Sequence, residues 1–129
     1  VEEVLRISSP SSNMFRRATE EVEWHGVTIP KDAILFARFA SANQDRDQFP
    51  EPEKFDLTRP NLKEQVAFGK GVHHCLGAAL SRREMNIGFK IILERMENFR
   101  LADGAPEPEF AANALLHGLT RLDIAFDKV

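Results

Sequence analysis

The chain has 129 residues, of which 43% are hydrophobic, and this combination allows one domain with a single core and excludes a disordered chain. The net charge of -3 at pH 7 leaves no basic excess for binding a nucleic acid. A single cysteine cannot form an internal disulfide, and no apolar run is long enough to cross a bilayer, so we expect a cytoplasmic protein.

The first part of the chain is predicted to contain a helix, a small β-sheet and a second, shorter helix. Apolar residues recur on one face of residues 1–7, and the helix should end before Pro10. Strand-forming residues flank a turn at 25–26, and a short apolar run covers 33–36, so we expect two or three short strands. Residues 36–43 are predicted to form the second helix.

The second part is predicted to contain a proline-rich coil, one long helix and a C-terminal β-hairpin. Three prolines between 49 and 60 prevent continuous backbone hydrogen bonding, so this coil should be held by Phe49 and Phe55. Residues 76–99 lack proline and carry apolar residues at helical spacing, which predicts a long helix central to the core. The alternation over 122–126 predicts a closing strand. The fold class is therefore expected to be α+β.

The segment 68–77, Phe-Gly-Lys-Gly-Val-His-His-Cys-Leu-Gly, is called the cysteine loop here and carries the most informative chemistry. Gly69 and Gly71 permit backbone conformations that are closed to other residues, and Gly77 leaves room for a close approach. Cys75 precedes the predicted long helix, whose unpaired N–H groups and positive dipole end favour a thiolate.

This arrangement suits a haem iron that is held through the thiolate of Cys75. A flexible backbone that can approach closely and a soft ligand fit iron in a flat macrocycle, and an axial thiolate promotes O–O cleavage on the opposite side. His73 is placed to donate a hydrogen bond to a carboxylate of the same group. The loop therefore predicts a haem-thiolate site.

The cysteine loop has four other interpretations. A nucleophilic Cys75 with His73 or His74 as its base is the strongest of them. A zinc site is disfavoured because three adjacent ligands cannot easily converge on one tetrahedral ion. A dinucleotide loop lacks a preceding strand and a third glycine at the required spacing. An inert buried cysteine would leave the glycines and the histidine unexplained.

The cysteine loop resembles the haem-binding signature of the cytochrome P-450 family at every fixed position. The sequence is most similar to that of bacterial members. The matching residues are Phe68, Gly69, Gly71, His73, Cys75 and Gly77. The resemblance implies that Cys75 is the axial ligand of the iron, that Phe68 covers its sulfur, and that Arg16 holds a haem propionate. Phe68, Gly69, His73, Gly77 and Arg16 are then the other cofactor-binding residues. Arg17 competes with Arg16 for the propionate.

Two further elements occur in the order typical of the family. Glu3 and Arg6 match the Glu-x-x-Arg of the family's K helix, and Arg59 matches an arginine of the coil that the family calls the meander. The resemblance implies a buried ion network of these three residues, which is structural and needed for cofactor loading. It implies no catalytic residue in this segment. Without the resemblance, Glu3 and Arg6 would be an ordinary surface pair.

The resemblance implies a haem-thiolate monooxygenase that inserts one oxygen atom from O2 into a small apolar organic substrate. Its cofactor would be haem b, iron protoporphyrin IX, and its electrons would come from NAD(P)H through a ferredoxin-type or flavoprotein donor. That donor would dock near Lys70, Arg82 and Arg83. Met14, Leu115 and Leu116 would line the substrate pocket.

The resemblance covers nearly the whole chain and implies that residues 1–129 are the C-terminal haem-ligand region, from the K helix onward. The family is mainly α, and its oxygen-activating helix normally lies upstream of this region. We therefore expect a fragment or a truncated form of the enzyme. The alternative is a non-catalytic module, haem-free or self-associating, that retains only the fold of the ligand region.

Overall fold

Helix α1 comprises Glu2–Ser8 in the computed structural model, which describes all residues from 1 to 129. Two glutamates in its first turn and Arg6 in its last turn suit the helix dipole. The helix ends at Ser9, which adopts a left-handed conformation with φ 38° and donates its N–H to Leu5 O at 2.9 Å. Both ends of the helix lie one residue later in the chain than the predicted range of 1–7.

The strands form three separate two-stranded antiparallel sheets, so the prediction of one small sheet was wrong. The strands are β1 Asn13–Arg17, β2 Val22–Trp24, β3 Val27–Ile29, β4 Ile34–Arg38, β5 Met96–Leu101 and β6 Ile124–Lys128. β1 pairs with β4, β2 with β3, and β5 with β6. β1 was not predicted as a strand; Phe15 on β1 lies opposite Phe36 on β4, with the ring centres 4.8 Å apart.

The short helix α2 and the coil that follows connect β4 to the cysteine loop. α2 comprises Phe39–Ala42, four residues within the predicted 36–43. Phe49 anchors the coil as predicted, because only 1% of its surface is exposed and the Arg6 guanidinium lies 5.3 Å from its ring centre. The same role for Phe55 was wrong, since 56% of its surface is exposed.

Helix α3 comprises Ala78–Arg95 and is shorter than the predicted 76–99. Its last predicted turn belongs to strand β5, which pairs with β6 through a bulge between Glu97 and Arg100. Tertiary pairing with a strand near the chain end therefore overrides the helical spacing of the sequence. In the tail, a single bridge joins Phe110 to Leu119, while the closing strand pairs with β5 rather than within a tail hairpin.

Burial is concentrated where α1, the coil and the start of the cysteine loop meet. Only 11 of 129 residues are buried, and three of them, Glu3, Leu5 and Arg6, lie on α1. Ala78 is the only buried residue of α3, so the prediction that this helix is central to a core was wrong for this chain. No helix combines the length and the apolar character needed to span a membrane. The α+β fold class is confirmed.

Candidate functional site

The cysteine loop is closed by backbone hydrogen bonds around a short 3-10 turn, Gly71–His73. Cys75 donates its N–H to Phe68 O at 2.9 Å, which joins the two ends of the loop. Gly69 has φ +69° and Gly71 has φ +75°, a region that side-chain-bearing residues rarely adopt. A Cβ added at Gly69 would lie 3.7 Å from the Phe39 ring, so the backbone passes close to α2.

The thiol of Cys75 is exposed and lies just before the first turn of α3. Gly77 caps this helix, and the N–H groups of Leu76 and Gly77 bond to no other group of the chain. A Cβ at Gly77 would stand 3.9 Å from the sulfur. This sulfur is a soft ligand that no other group of the chain engages, and the residues present therefore fit an iron bound through sulfur.

A cavity of about 410 Å³ opens between the cysteine loop, α1, β1 and α3. Cys75, His73 and Arg16 all line it, although they come from different parts of the chain. The other lining residues are mostly apolar: Leu5, Pro10, Ser11, Met14, Phe39, Ala67, Phe68, Gly69, Ser81 and Met85. The cavity thus combines one soft ligand and two cationic or hydrogen-bonding side chains with apolar walls.

The two adjacent arginines of β1 have different surroundings. Arg16 lines the cavity and donates Nη1 to Phe15 O at 2.8 Å, so several of its donors remain available. Arg17 forms an exposed ion pair with Asp32, with 3.3 Å between Nε and Oδ1. Of the two, only Arg16 is placed to contact a group in the cavity.

The two histidines of the loop also differ. His73 lines the cavity, whereas His74 has its Nδ1 3.0 Å from Gly69 O and its ring edge against Phe68. Neither histidine is hydrogen-bonded to Cys75, so the geometry gives no base to the nucleophilic alternative. No three His, Cys, Asp or Glu side chains come together as a metal-ion site.

The residues predicted to contact substrate are divided between two places. Met14 lines the cavity. Leu115 and Leu116 lie beside the same segment through the bond from Ser12 N–H to Leu115 O and a bridge between Ser11 and Leu116, but they do not line the cavity.

Glu3, Arg6 and Arg59 lie together in one buried network. Arg6 donates Nε to Glu3 Oε2 at 2.7 Å and Nη2 to Glu3 Oε1 at 2.8 Å, while Arg59 donates Nε to Glu3 Oε1 at 3.1 Å. The bond from Arg6 is the main cause that lowers the pKa of Glu3 to about 2; burial opposes this, and bonds from the Asp56 N–H and Arg59 add to it. The carboxylate is thus fully charged at neutral pH.

The two arginines of this network also hold the backbone of the coil. Arg6 donates Nη1 to Asn43 O at 2.8 Å, and Arg59 donates Nη1 to Pro50 O at 2.6 Å and Nη2 to Lys54 O at 2.9 Å. Planar guanidinium groups suit such multiple contacts. The network therefore fixes the path of the coil that leads to the cysteine loop.

Asn43 is a functional neighbour of the network that sequence reasoning missed. It is fully buried, donates Nδ2 to Ser9 Oγ at 2.9 Å, and accepts the Val66 N–H on Oδ1 at 2.8 Å. It therefore joins the end of α1 to the residues that enter the cysteine loop. In the sequence it begins a polar run, 43–47, which has the appearance of a solvated helix exit.

The basic residues predicted to dock an electron donor are only partly free. Lys70 lies 3.6 Å from Glu64, and Arg82 forms a 2.8 Å pair with Glu2. Arg83 is exposed and has no ion-pair partner. The positive charge of this surface is therefore weaker than three unpaired basic residues would make it.

Comparison with known proteins places the chain in one family. The cytochrome P450 family model matches residues 1–122, and the chain belongs to this family. It is 37% identical to cytochrome P450 107B1 of Saccharopolyspora erythraea over 125 residues. These aligned residues cover 96% of this chain and 31% of that protein. It is 38% identical over 125 residues to the vitamin D(3) 25-hydroxylase of Pseudonocardia autotrophica, with the same coverage of both chains.

Solved structures agree with the sequence comparisons. Cytochrome P450 CYP150A6 of Mycobacterium marinum superimposes with a TM-score of 0.93 at 32% identity, over 98% of this chain and 33% of that one. P450BioI, solved in complex with a ligated acyl carrier protein, gives a TM-score of 0.90 at 35% identity, over 98% of this chain and 32% of that one. The chain thus spans about a third of the length of these relatives.

Proposed function

We propose that the chain supplies the iron-ligand half of a haem-thiolate monooxygenase, in which Cys75 would hold the iron through its sulfur. The observation that carries this proposal is that Cys75, His73 and Arg16 open onto one largely apolar cavity. Bound haem b would supply the activation of O2 for the insertion of one oxygen atom into a substrate. Residues 1–129 would act as the C-terminal region of a cytoplasmic enzyme whose oxygen-activating helix lies outside them.

Six residues of the cysteine loop and β1 have defined tasks in this proposal. Cys75 binds the iron as a thiolate, and the N–H groups that follow it stabilise the negative sulfur. Arg16 and His73 bind the haem carboxylates with charge-assisted hydrogen bonds. Gly69 and Gly77 allow the backbone to lie close to the macrocycle, and Phe68 limits the access of water to the sulfur.

The substrate and the source of electrons extend the proposal. Met14 lines the cavity, Leu115 and Leu116 lie beside the same segment, and these apolar side chains suit a small apolar organic substrate. Two relatives are named as a vitamin D(3) 25-hydroxylase and a steroid C26-monooxygenase, both acting on apolar molecules. Electrons would come from NAD(P)H through a ferredoxin-type or flavoprotein donor that docks near Lys70, Arg82 and Arg83, where complementary charge would favour an acidic partner.

A second candidate function is a haem-free module that associates with itself or with another chain. The observation that favours it is the exposure of large apolar side chains along α3, which soluble monomers rarely leave uncovered over a continuous area. The residues concerned are Leu80, Ile87, Phe89, Ile91, Ile92 and Leu93. In this case Cys75 would have no ligand role.

Haem titration of the full chain separates the two candidates. We expect stoichiometric uptake, and after reduction under carbon monoxide a Soret band at the red-shifted position characteristic of thiolate-ligated haem. The Cys75→Ser variant should lose the red-shifted band, and Arg16→Gln should bind haem more weakly while keeping the band. A wild-type band typical of histidine ligation, or no uptake together with self-association in light scattering, would contradict the monooxygenase proposal.

A further inference from the structure

A second charged pair, separate from the Glu3 network, lies against the aromatic ring of the cysteine loop. Arg82, in the second turn of α3, donates Nε to Glu2 Oε1 at 2.8 Å and Nη2 to Glu2 Oε2 at 3.2 Å. Its guanidinium carbon lies 4.6 Å from the centre of the Phe68 ring. Helix α1, helix α3 and the cysteine loop therefore meet at the side chain of Arg82.

Gln65 fixes the other side of the Glu2 carboxylate. Its Nε2 donates to Glu2 Oε2 at 2.9 Å, and its Oε1 accepts the Ala67 N–H at 2.7 Å. Burial works against the ionisation of Glu2, but the bonds from Arg82 and Gln65 outweigh it, so the pKa of this carboxyl lies below its ordinary value. The pair is thus tied to the backbone immediately before Phe68.

Phe68 connects this pair to the proposed iron ligand. Its carbonyl oxygen accepts the N–H of Cys75 at 2.9 Å, and Phe68 and Cys75 line the same cavity. A cation over an aromatic face is held by the ring quadrupole, and a two-point bond to a carboxylate fixes the plane of the guanidinium. The orientation of the ring next to the sulfur is therefore set from outside the loop.

We propose that Glu2 and Arg82 are positioning residues that hold the Phe68 ring beside Cys75 and tune the reduction potential of iron bound to that thiolate. The inference rests on the proposed function, because it concerns the metal that Cys75 would bind. Groups beyond the direct ligands commonly tune a metal through solvent access and charge. The pair acts through Phe68 and does not touch the iron.

The charges of the pair predict shifts of opposite sign. One-electron reduction adds negative charge to the iron and its thiolate, so a nearby cation favours the reduced state and a nearby carboxylate opposes it. Arg82→Gln removes the cation and leaves the charge of Glu2 uncompensated, which should lower the potential. Glu2→Gln leaves the cation unbalanced, which should raise it. General loosening of the loop would instead move both variants in one direction.

Spectroelectrochemical titration of the haem-loaded full chain measures both shifts. We expect each variant to change the reduction equilibrium by about threefold, about 30 mV for a one-electron couple at 59 mV per tenfold. Lys90 and Glu94 form an exposed pair 3.8 Å apart further along α3 and provide matched controls. Lys90→Gln and Glu94→Gln make the same changes in charge and should leave the potential at its wild-type value.

A second readout needs no haem. The Arg82 Nε–H proton should show an upfield ring-current shift in NMR spectra of the unloaded chain, and Phe68→Leu or Glu2→Gln should remove it. Equal potentials in wild type, Arg82→Gln and Glu2→Gln, or shifts of one sign in both variants, would overturn this inference. The proposed function would still stand in that case if the wild-type chain shows the red-shifted Soret band. Failure of the wild-type chain to bind haem would overturn both.

Discussion

The Glu3 network and the cysteine loop differ in how far the chain itself satisfies their polar groups. Glu3 and Arg6 are buried, and no buried side-chain nitrogen or oxygen in the structure lacks a partner. In the cysteine loop, residues 70–77 are all exposed, and the N–H groups of Leu76 and Gly77 are among those that have no acceptor. The Glu3 network, called the frame below, is satisfied by groups of the chain itself, whereas the proposed ligand site is left open to another molecule.

This difference indicates that the Glu3 network stabilises the fold and that the cysteine loop serves ligand binding. The frame orders the coil and the entrance of the loop during folding, so this ordering cost does not fall on cofactor binding. Changes in the frame should therefore act on the free energy of unfolding, and changes in the loop should act on the ligand. The following predictions test that separation.

The largest effect is expected when the central carboxylate of the frame is removed. Glu3→Gln leaves Arg6 and Arg59 without their shared anion in a buried place, which should lower the free energy of unfolding by about 3–5 kcal/mol. Urea unfolding measures the loss. Glu94→Gln removes a carboxylate from an exposed pair and should cost less than about 1 kcal/mol. Equal losses in the two variants would show that the network is not a stabilising frame.

The stability of the wild-type chain should depend on pH through the same group. The pKa of Glu3 in the folded chain is about 2, below its ordinary 4.5, so its contribution is complete above about pH 5. As the pH falls from 5 towards 2 the contribution of about 3 kcal/mol is lost. Unfolding curves of wild type and Glu3→Gln should therefore converge in acid. A constant gap between them would contradict the low pKa.

A smaller loss is expected at the link between frame and loop. Asn43→Ala leaves the Val66 N–H without a partner and removes the bond that the buried Ser9 hydroxyl accepts, which should cost about 1–3 kcal/mol. Amide exchange at Val66 should accelerate. Asn86→Ala removes an exposed bond to Arg82 O and should change stability by less than about 0.5 kcal/mol. An unchanged rate of amide exchange at Val66 would show that Asn43 does not order the entrance of the cysteine loop.

The smallest effects should differ in sign between two glycines. Gly69→Ala places a side chain at φ +69°, which should cost about 1–2 kcal/mol and disturb the loop. Gly88→Ala lies inside α3 with no atom within 4 Å of the added methyl group, so it should stabilise the chain by about 0.5–1 kcal/mol. Thermal unfolding of both variants tests this, and stabilisation by Gly69→Ala would refute the strained turn.

Local features were predictable from the sequence, and features made by distant residues were not. The cysteine loop and the Glu3–Arg6 spacing are short-range patterns, and α1 and the 25–26 turn were predicted within a residue or two. The end of α3 was wrong because β5 pairs with a strand about thirty residues later, which helical spacing does not reveal.

The polar links of the site were missed for the same reason. Asn43 contacts the end of α1, 34 residues away, and Arg82 contacts Glu2, 80 residues away. Each residue has an ordinary solvated explanation in its own stretch of sequence. Only the fold brings these residues to the entrance of the cysteine loop.

Iron-edge X-ray absorption of the haem-loaded chain tests most directly whether Cys75 binds the metal. The chain has one cysteine and three methionines, and Met14 and Met85 line the same cavity, so the source of any sulfur signal must be assigned by substitution. We predict a sulfur scatterer bonded to iron in the wild type and its absence in Cys75→Ser. A wild-type spectrum with only nitrogen and oxygen neighbours, or a sulfur signal that persists in Cys75→Ser, would contradict the account.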